Sequence, residues 1–267
     1  MLISSLLGIL IGAVLGLTGA GGGILAVPAL VAGMGWTMQQ AAPIALIAVA
    51  GGAAVGAVEG WRRKLVRYRA AMLMAATGVP LTALGVRVAQ AVPQQWLMGV
   101  FAAVMLLAAA HLLRRSAVHT TRHAAAPSRL GQINAETGRF DWSWSTGLLL
   151  AAIGALTGFM TGLLGVGGGF VVVPMLRRFT NVSMHGIVAT SLLVVALVGT
   201  GGVLAALLHG AVVPFEATAF FSMATVAGMV AGRLAAQHLS AHRVQQGFAG
   251  VLLVVALGLL VKAAGGF

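Results

Sequence analysis

The sequence lacks cysteine entirely and has very few acidic residues. With no cysteine among 267 residues, disulfides, thiol nucleophiles and thiolate metal sites are excluded. Charged residues make up 7% of the chain, whereas a soluble domain usually has about a quarter. Hydrophobic residues make up 60%, and the mean hydropathy is +1.02. This composition predicts an all-α membrane protein with several spans.

The scarcity of acidic residues also limits the classes of membrane protein to which the chain is expected to belong. The chain has four acidic residues, which are Glu59, Glu136, Asp141 and Glu216. None of them lies squarely in the middle of an apolar run, which argues against a Na⁺- or H⁺-coupled importer built on buried carboxylates. The net charge of +12 would favour nucleic-acid binding in a soluble protein. Here the basic residues cluster in short polar loops, so membrane lipid is an expected partner and nucleic acid is not.

Apolar segments divide the chain into two halves joined by a polar linker. We predict a first membrane repeat over 1–113, a cytoplasmic hydrophilic linker over 114–143 and a second repeat over 144–267. Each half opens on an apolar run that is too long for one span of about 20 residues. Both runs are interrupted by glycines, so each half is predicted to be a glycine-broken helical hairpin followed by three transmembrane helices.

A glycine-rich segment occurs twice in the chain. GLTGAGGGILAVPAL at 16–30 returns as GLLGVGGGFVVVPML at 162–176, offset by 146 residues and identical at nine of 15 positions. Upstream, a glycine ladder at intervals of four residues precedes each copy, and this spacing predicts close helix packing. A duplicated break inside an apolar run is typical of transporters that build a binding site from backbone groups.

The distribution of lysine and arginine predicts the orientation. If each broken run turns back to the face it came from, the two halves are inverted, and fourteen of the sixteen basic residues lie on the inner side. If each run crosses once with the N terminus inside, the halves are parallel and the inner side has 11. The inverted arrangement satisfies the positive-inside rule better. It predicts a multi-pass protein of the cytoplasmic (inner) membrane with both termini outside.

At these residues the sequence resembles the sulfite exporter TauE/SafE family of membrane permeases. The resemblance rests on a G-x-x-G-x-G-G-G-x-x-x-x-P segment at the start of each half, at Gly16–Pro28 and Gly162–Pro174. It covers nearly the whole chain apart from the linker. It implies movement of sulfite, or of a related small sulfur-containing anion such as a sulfonate, across the cytoplasmic membrane.

The two glycine triplets are the predicted substrate site. Glycine has no Cβ, so a triplet that opens a helix is able to direct several backbone N–H groups at one anion. We call the glycine breaks at 19–23 and 165–169 the first and second elbow. In two inverted halves, these elbows are expected to meet near the membrane midplane and share one oxyanion. The alternative is that these glycines serve helix packing alone. The predicted backbone ligands are Gly21, Gly22, Gly23, Gly167, Gly168 and Gly169.

Hydroxyl groups within apolar segments are further candidates for the anion site. Thr18, Thr190 and Ser191 are predicted to complete the hydrogen bonding of the substrate, and Thr161 offers a fourth hydroxyl. Thr190 and Ser191 also look like family positions, although the first half has no hydroxyl at the matching places. The alternative for each is a bond back to its own helix.

Two arginines and one histidine are predicted to act at the mouths of the site. Arg87 and Arg233 stand at equivalent positions of the two halves, so we expect them to attract the anion at the outer and inner mouths. Their alternative role is snorkelling to lipid phosphates. His209 is a candidate proton acceptor or anion donor, or else a structural histidine. Glu59 is expected to form a local ion pair with Arg62 or Arg63.

The sequence therefore predicts a transporter that exports small sulfur-containing anions by alternating access around the paired elbows. The alternatives are an importer or permease for another small anion, an intramembrane enzyme, and a membrane subunit without transport of its own. The chain contains neither H-E-x-x-H nor G-x-S-x-G, so we expect no enzymatic activity, no metal site and no cofactor. Expected partners are a small anionic substrate, lipid and, in a homo-oligomer, further copies of the chain.

Overall fold

The fold consists of helices arranged as two similar series. The computed structural model describes residues 2–19, 21–117, 142–211, 213–236, 238 and 241–264, and these contain no strand. Most of the predicted linker therefore lies outside the described residues. The elements in chain order are α1 (Leu2–Thr18), a short 3₁₀ helix (Gly22–Leu25), α2 (Ala26–Met34), α3 (Met38–Arg62), α4 (Tyr68–Ala91), α5 (Gln94–Ala117), α6 (Trp144–Leu164), α7 (Gly169–Phe179), α8 (Met184–Leu208), α9 (Phe215–Ala236) and α10 (Ala241–Ala264).

Glycines break the first apolar run of each half, as predicted. Gly19 follows α1 with a φ of 78°, and Gly165 follows α6 with a φ of 69°. Residues with a Cβ rarely adopt this left-handed conformation, so the glycines allow the chain to leave the helix at these points. The chain then starts a second helical arm, which is α2 in the first half and α7 in the second.

Seven of the described helices are long and apolar enough to cross a membrane, namely α3, α4, α5, α6, α8, α9 and α10. The second arms are shorter. α7 has 11 residues, which at 1.5 Å per residue gives roughly 17 Å, against a hydrocarbon core of about 30 Å. The multi-pass, all-α fold class predicted from the sequence is confirmed, and the short arms agree with the predicted elbows.

Exposed side chains on the helices suit a lipid environment. Leu107 and Val254 are each 72% exposed within long apolar helices, which is expected for residues that face acyl chains. Trp61, Tyr68 and Trp144 are exposed near helix ends, where aromatic side chains commonly mark the membrane–water interface.

Glycine ladders interlock the two halves. α1 packs along α9, and α6 packs along α4. A Cβ on any ladder glycine would lie closer than 3.0 Å to backbone atoms of the facing helix, so only glycine permits these approaches. The packing role predicted for the ladders is confirmed. The ladder residues are Gly8, Gly12 and Gly16 in α1 and Gly154, Gly158 and Gly162 in α6.

α3 and α8 pack against each other at the interface between the halves. The end of α3 contacts the beginning of α8 at Gly60 and Ala189, whereas the later part of α8 contacts the earlier half of α3 at Gly202 and Leu46. The two helices are therefore antiparallel. Because α3 and α8 occupy equivalent places in the two halves, this packing is the one that inverted repeats require, and it supports the predicted inversion.

Candidate functional site: a cavity between the halves

A cavity of about 620 Å³ opens at one face of the helix assembly. It is lined by the beginning of α3, the ends of α4 and α8, residues 209–211 and Pro214, and it reaches inward to Leu46 and Gly162. Its polar lining consists of three glutamines and a histidine, and none of its described lining residues is acidic. A cavity with amide donors and no carboxylate suits an anion. The polar lining residues are Gln39, Gln40, Gln90 and His209.

The first turn of α3 fixes the orientation of Gln40. The Thr37 hydroxyl accepts a hydrogen bond from the Gln40 backbone N–H at 3.2 Å, while the Thr37 N–H donates to Oε1 of Gln40 at 3.1 Å. This reciprocal capping box satisfies two N–H groups at the start of the helix. It also engages the amide oxygen of Gln40, so its NH₂ group is the part left to bind a ligand in the cavity.

Arg87 and His209 form a contact at the rim of this cavity. Nε of Arg87 donates to Nε2 of His209 at 3.0 Å, and Nδ1 of His209 lies 2.7 Å from the carbonyl oxygen of Ala205. A guanidinium always donates, so Nε2 of His209 is the acceptor in its contact with Arg87. The structure thus brings together two of the three residues predicted to act at the mouths. Their contact was not predicted, because it depends on how α4 packs against α8.

At the opposite face, which we call the closed face, an ion cluster joins the end of α3 to α9. Oε2 of Glu59 lies 2.8 Å from Nη1 of Arg233, and Oε1 of Glu59 lies 2.8 Å from Nη2 of Arg63. The predicted pairing of Glu59 with Arg63 is confirmed, whereas the link to Arg233 was missed. Because Arg233 is paired with a carboxylate in this conformation, it must leave Glu59 before it binds a substrate anion directly.

A loop contact reinforces the closed face. The backbone N–H of Arg67 donates to the Thr190 hydroxyl at 3.0 Å, which fastens the loop before α4 to the beginning of α8. At an offset of 146, Thr190 corresponds to Ile44, which lines the cavity on the other face. Equivalent positions of the two halves therefore form an open cavity at one face and a closed contact at the other.

The two glycine elbows approach each other at the level of the middle of α3. A Cβ on Gly23 would lie 2.9 Å from Cγ1 of Val49, and a Cβ on Gly167 would lie 2.8 Å from the same atom. Gly167 also packs against Val195, the equivalent of Val49 in the second half. The structure brings the triplets together as expected, with valine side chains between them. The cavity lining does not include the triplets, so their role in binding substrate stays a prediction.

The predicted hydroxyl ligands mostly bond within their own helices. The Thr18 hydroxyl donates to the carbonyl oxygen of Val14 at 2.8 Å, and that of Ser191 donates to the carbonyl oxygen of Val188 at 2.9 Å. These bonds use the hydroxyl hydrogens, which leaves lone pairs that do not attract an anion. The geometry favours the alternative role for these two residues, and their part in substrate binding stays a prediction.

The profile of the family described as "Sulfite exporter TauE/SafE" matches residues 4–259 of the chain. The chain belongs to the TauE/SafE family. This TauE/SafE chain is also similar to proteins named "Probable membrane transporter protein" from two strains of Xylella fastidiosa. The protein from strain 9a5c is 28% identical over 259 residues, which cover 95% of this chain and 92% of the relative. The protein from strain Temecula1 / ATCC 700964 is 27% identical over 258 residues, with the same coverage. No solved structure is a significant match.

The sequence did contain signals for some of the residues that were missed. Gln39 and Gln40 stand together at the start of an apolar span, where a polar pair is a candidate for a cavity lining. Thr157 of α6 is completely buried and its Oγ1 has no hydrogen-bond partner, whereas its counterpart at the offset of 146 is the apolar Ile11. A position-by-position comparison of the two halves for such changes of polarity would have identified Thr157.

Proposed function

We propose that this TauE/SafE family member is a secondary transporter that exports small sulfur-containing anions, such as sulfite or organosulfonates, by alternating access. One observation carries the proposal: the same group of helices encloses an open cavity at one face and is joined by an ion cluster and a loop contact at the other. A transporter caught with one gate open and one gate closed has this arrangement. The family membership and the names of the relatives support the same function class.

The alternating step follows from the equivalence of the two halves. Loop 63–67 contacts the beginning of α8 at one face, and residues 209–211 and Pro214 border the cavity near the beginning of α3. When the ladder-packed pairs α1–α9 and α4–α6 rock against each other, the segment that follows α8 closes on α3 and loop 63–67 leaves α8. Separation of Arg233 from Glu59 accompanies that movement. The tightly packed glycine ladders hold each rocking unit together.

The charge distribution supports an orientation for these two faces. The closed face contains the basic loop 61–69, which the positive-inside rule places in the cytoplasm. The cavity with Arg87 at its rim then opens to the outside of the cytoplasmic membrane, and α1 begins on that outer side. In this proposal the described conformation is the outward-open state.

The substrate class follows from charge and energetics. The cavity offers amide and guanidinium donors, and its described lining has no carboxylate to repel an anion. A membrane potential of about 100 mV, negative inside, favours export by roughly 2.3 kcal/mol per negative charge. An exported anion therefore needs no coupling carboxylate inside the membrane.

A flux assay tests the proposal. Purified full-length protein is reconstituted into liposomes loaded in turn with sulfite, thiosulfate, sulfoacetate or sulfate, and release of each anion is measured against protein-free liposomes. We expect saturable release of at least one reduced sulfur anion or sulfonate. Absence of release for all four anions, from protein that remains folded, would refute the transporter proposal. Release of sulfate alone would refute sulfite, thiosulfate and sulfonates as the substrates.

A further inference from the structure

The two elbows differ in polarity although they share the glycine triplet. In the second half, Thr157 and Thr161 of α6 face the elbow. At the equivalent places in the first half, the offset of 146 gives Ile11 and Leu15. Each of these four side chains is completely buried. A binding site with two equal elbows would have equivalent surroundings on both sides, which the chain does not provide.

The second elbow places a helix N terminus inside the membrane. Gly168 precedes α7 with a φ of 64°, and no side chain caps this end of the helix. Its carbonyl oxygen accepts hydrogen bonds from the N–H groups of Val171 at 2.9 Å and Val172 at 3.3 Å. The N–H groups at the start of a helix have no acceptor within it, and the helix dipole makes this end attractive to anions. The first elbow instead continues as a 3₁₀ helix of four residues.

Thr157 supplies an independent sign of a ligand at this point. It is 0% exposed, and its Oγ1 has no hydrogen-bond partner. A Cβ on Gly168 would collide with the methyl group Cγ2 of Thr157 and lie 2.6 Å from Oγ1 of Thr161, so both side chains lie beside the uncapped end of α7. A buried hydroxyl without a partner is destabilising by about 1–3 kcal/mol, and such groups are retained where they serve a ligand.

The cavity ends close to this cluster. Gly162, which lines the cavity, directly follows Thr161 in α6. Leu46 also lines the cavity, and a Cβ on Gly202 would lie 3.1 Å from Cδ1 of Leu46 and 4.0 Å from Cγ2 of Thr161. Leu46, at the inner end of the cavity, and Thr161 are therefore both neighbours of Gly202.

We infer that the second elbow alone holds the charged group of a small oxyanion, with the Thr157 hydroxyl and the first N–H groups of α7 as donors. This inference deepens the proposed function and rests on it. The hydroxyl of Thr161 donates to the carbonyl oxygen of Thr157 at 2.7 Å, so Thr157 has the hydrogen that is available to the anion. In this inference the first elbow serves the packing and movement of the helices and does not bind the charged group of the anion.

The test compares Thr157→Val, which removes the hydroxyl at nearly constant volume, with Thr157→Ser, which keeps it. Sulfite flux into proteoliposomes gives KM, and thermal denaturation of the purified protein gives Tm. Loss of a hydrogen bond to an anion should raise KM about 10- to 100-fold in Thr157→Val, while Tm stays the same or rises because a buried unpaired hydroxyl has been removed. Thr157→Ser should retain a KM close to that of the unmodified protein.

Thr82→Val is the matched control. Thr82 is also completely buried, but its hydroxyl donates to the carbonyl oxygen of Gly78 at 2.8 Å. We expect an unchanged KM and an equal or lower Tm for this variant. An unchanged KM in Thr157→Val, or a raised KM accompanied by a clearly lowered Tm, would overturn the inference. If the unmodified protein transports neither sulfite nor the other anions, the proposed function itself has failed, and sulfite-induced shifts in Tm then decide whether Thr157 binds the anion.

Discussion

Removal of the Glu59 carboxylate should shift the protein toward its other conformation. Glu59 links α3 to α9 through Arg233 and also binds Arg63. The Glu59 and Arg63 side chains are 39% and 64% exposed, and that of Arg233 is 31% exposed, so solvent screens both pairs. Each pair is therefore worth about 0.2–1 kcal/mol. Only the Glu59–Arg233 pair joins two helices, because Glu59 and Arg63 stand four residues apart at the same end of α3. Glu59→Gln should therefore weaken the closed face by about 0.2–1 kcal/mol, which is a shift of roughly 1.5- to 5-fold in the conformational equilibrium.

The absence of native cysteine makes this shift measurable with single introduced thiols. Ala42→Cys reports on the cavity, which Ala42 lines, and Val188→Cys reports on the equivalent position at the closed face. Glu59→Gln should accelerate maleimide labelling at position 188 and slow it at position 42 by similar factors. Arg62→Gln, which removes a neighbouring charge that belongs to neither ion pair, should leave both rates unchanged. Equal labelling rates with and without Glu59→Gln would refute the assignment of this cluster as a gate.

Three further predictions follow from the contacts. Arg87→Gln should raise the KM for sulfite entering from the cavity side by several-fold and should reduce the dependence of KM on salt concentration, because the variant loses a long-range attraction that salt screens. A KM equal to that of the unmodified protein at both low and high salt would contradict this prediction. Gly12→Ala should destabilise the protein by about 1–3 kcal/mol in thermal or chemical denaturation, because the new Cβ meets the backbone of α9, whereas Gly258→Ala, with nothing within 4 Å, should be neutral or stabilising. Gly21→Ala should change the KM for sulfite by no more than about two-fold, because a Cβ there would be at least 3.6 Å from its neighbours and the second elbow is inferred to bind the charge. A loss of transport in this variant would show that the first elbow also takes part in binding the anion.

Much of the fold could be predicted because membrane helices obey strong local rules. Span length, glycine breaks and charge placement gave the order of the helices, the two broken hairpins and the short second arms. The glycine ladders were recognised as packing surfaces from their spacing alone. Their partners were not, since a spacing of four residues shows that a helix surface is flat without showing which helix lies against it.

The side-chain partners in the candidate site could not be obtained in the same way. The contacts between Arg87 and His209, and between Glu59 and Arg233, join residues more than a hundred positions apart in the sequence. They depend on the interlocked packing of α4 with α8 and of α3 with α9. Thr190 was predicted as a substrate ligand because of its polarity, but its hydroxyl accepts a loop N–H. Polarity indicates that a buried group needs a partner, whereas tertiary packing decides which partner it finds.

Release of sulfite from proteoliposomes under an imposed membrane potential tests the central claim most directly. Liposomes loaded with sulfite and containing the full chain are given an interior-negative potential with a potassium gradient and valinomycin. The account predicts release that exceeds that of protein-free liposomes and accelerates as the interior becomes more negative, by up to about 50-fold per 100 mV for one net charge. Release equal to that of protein-free liposomes at every potential, from protein that remains folded, would contradict it.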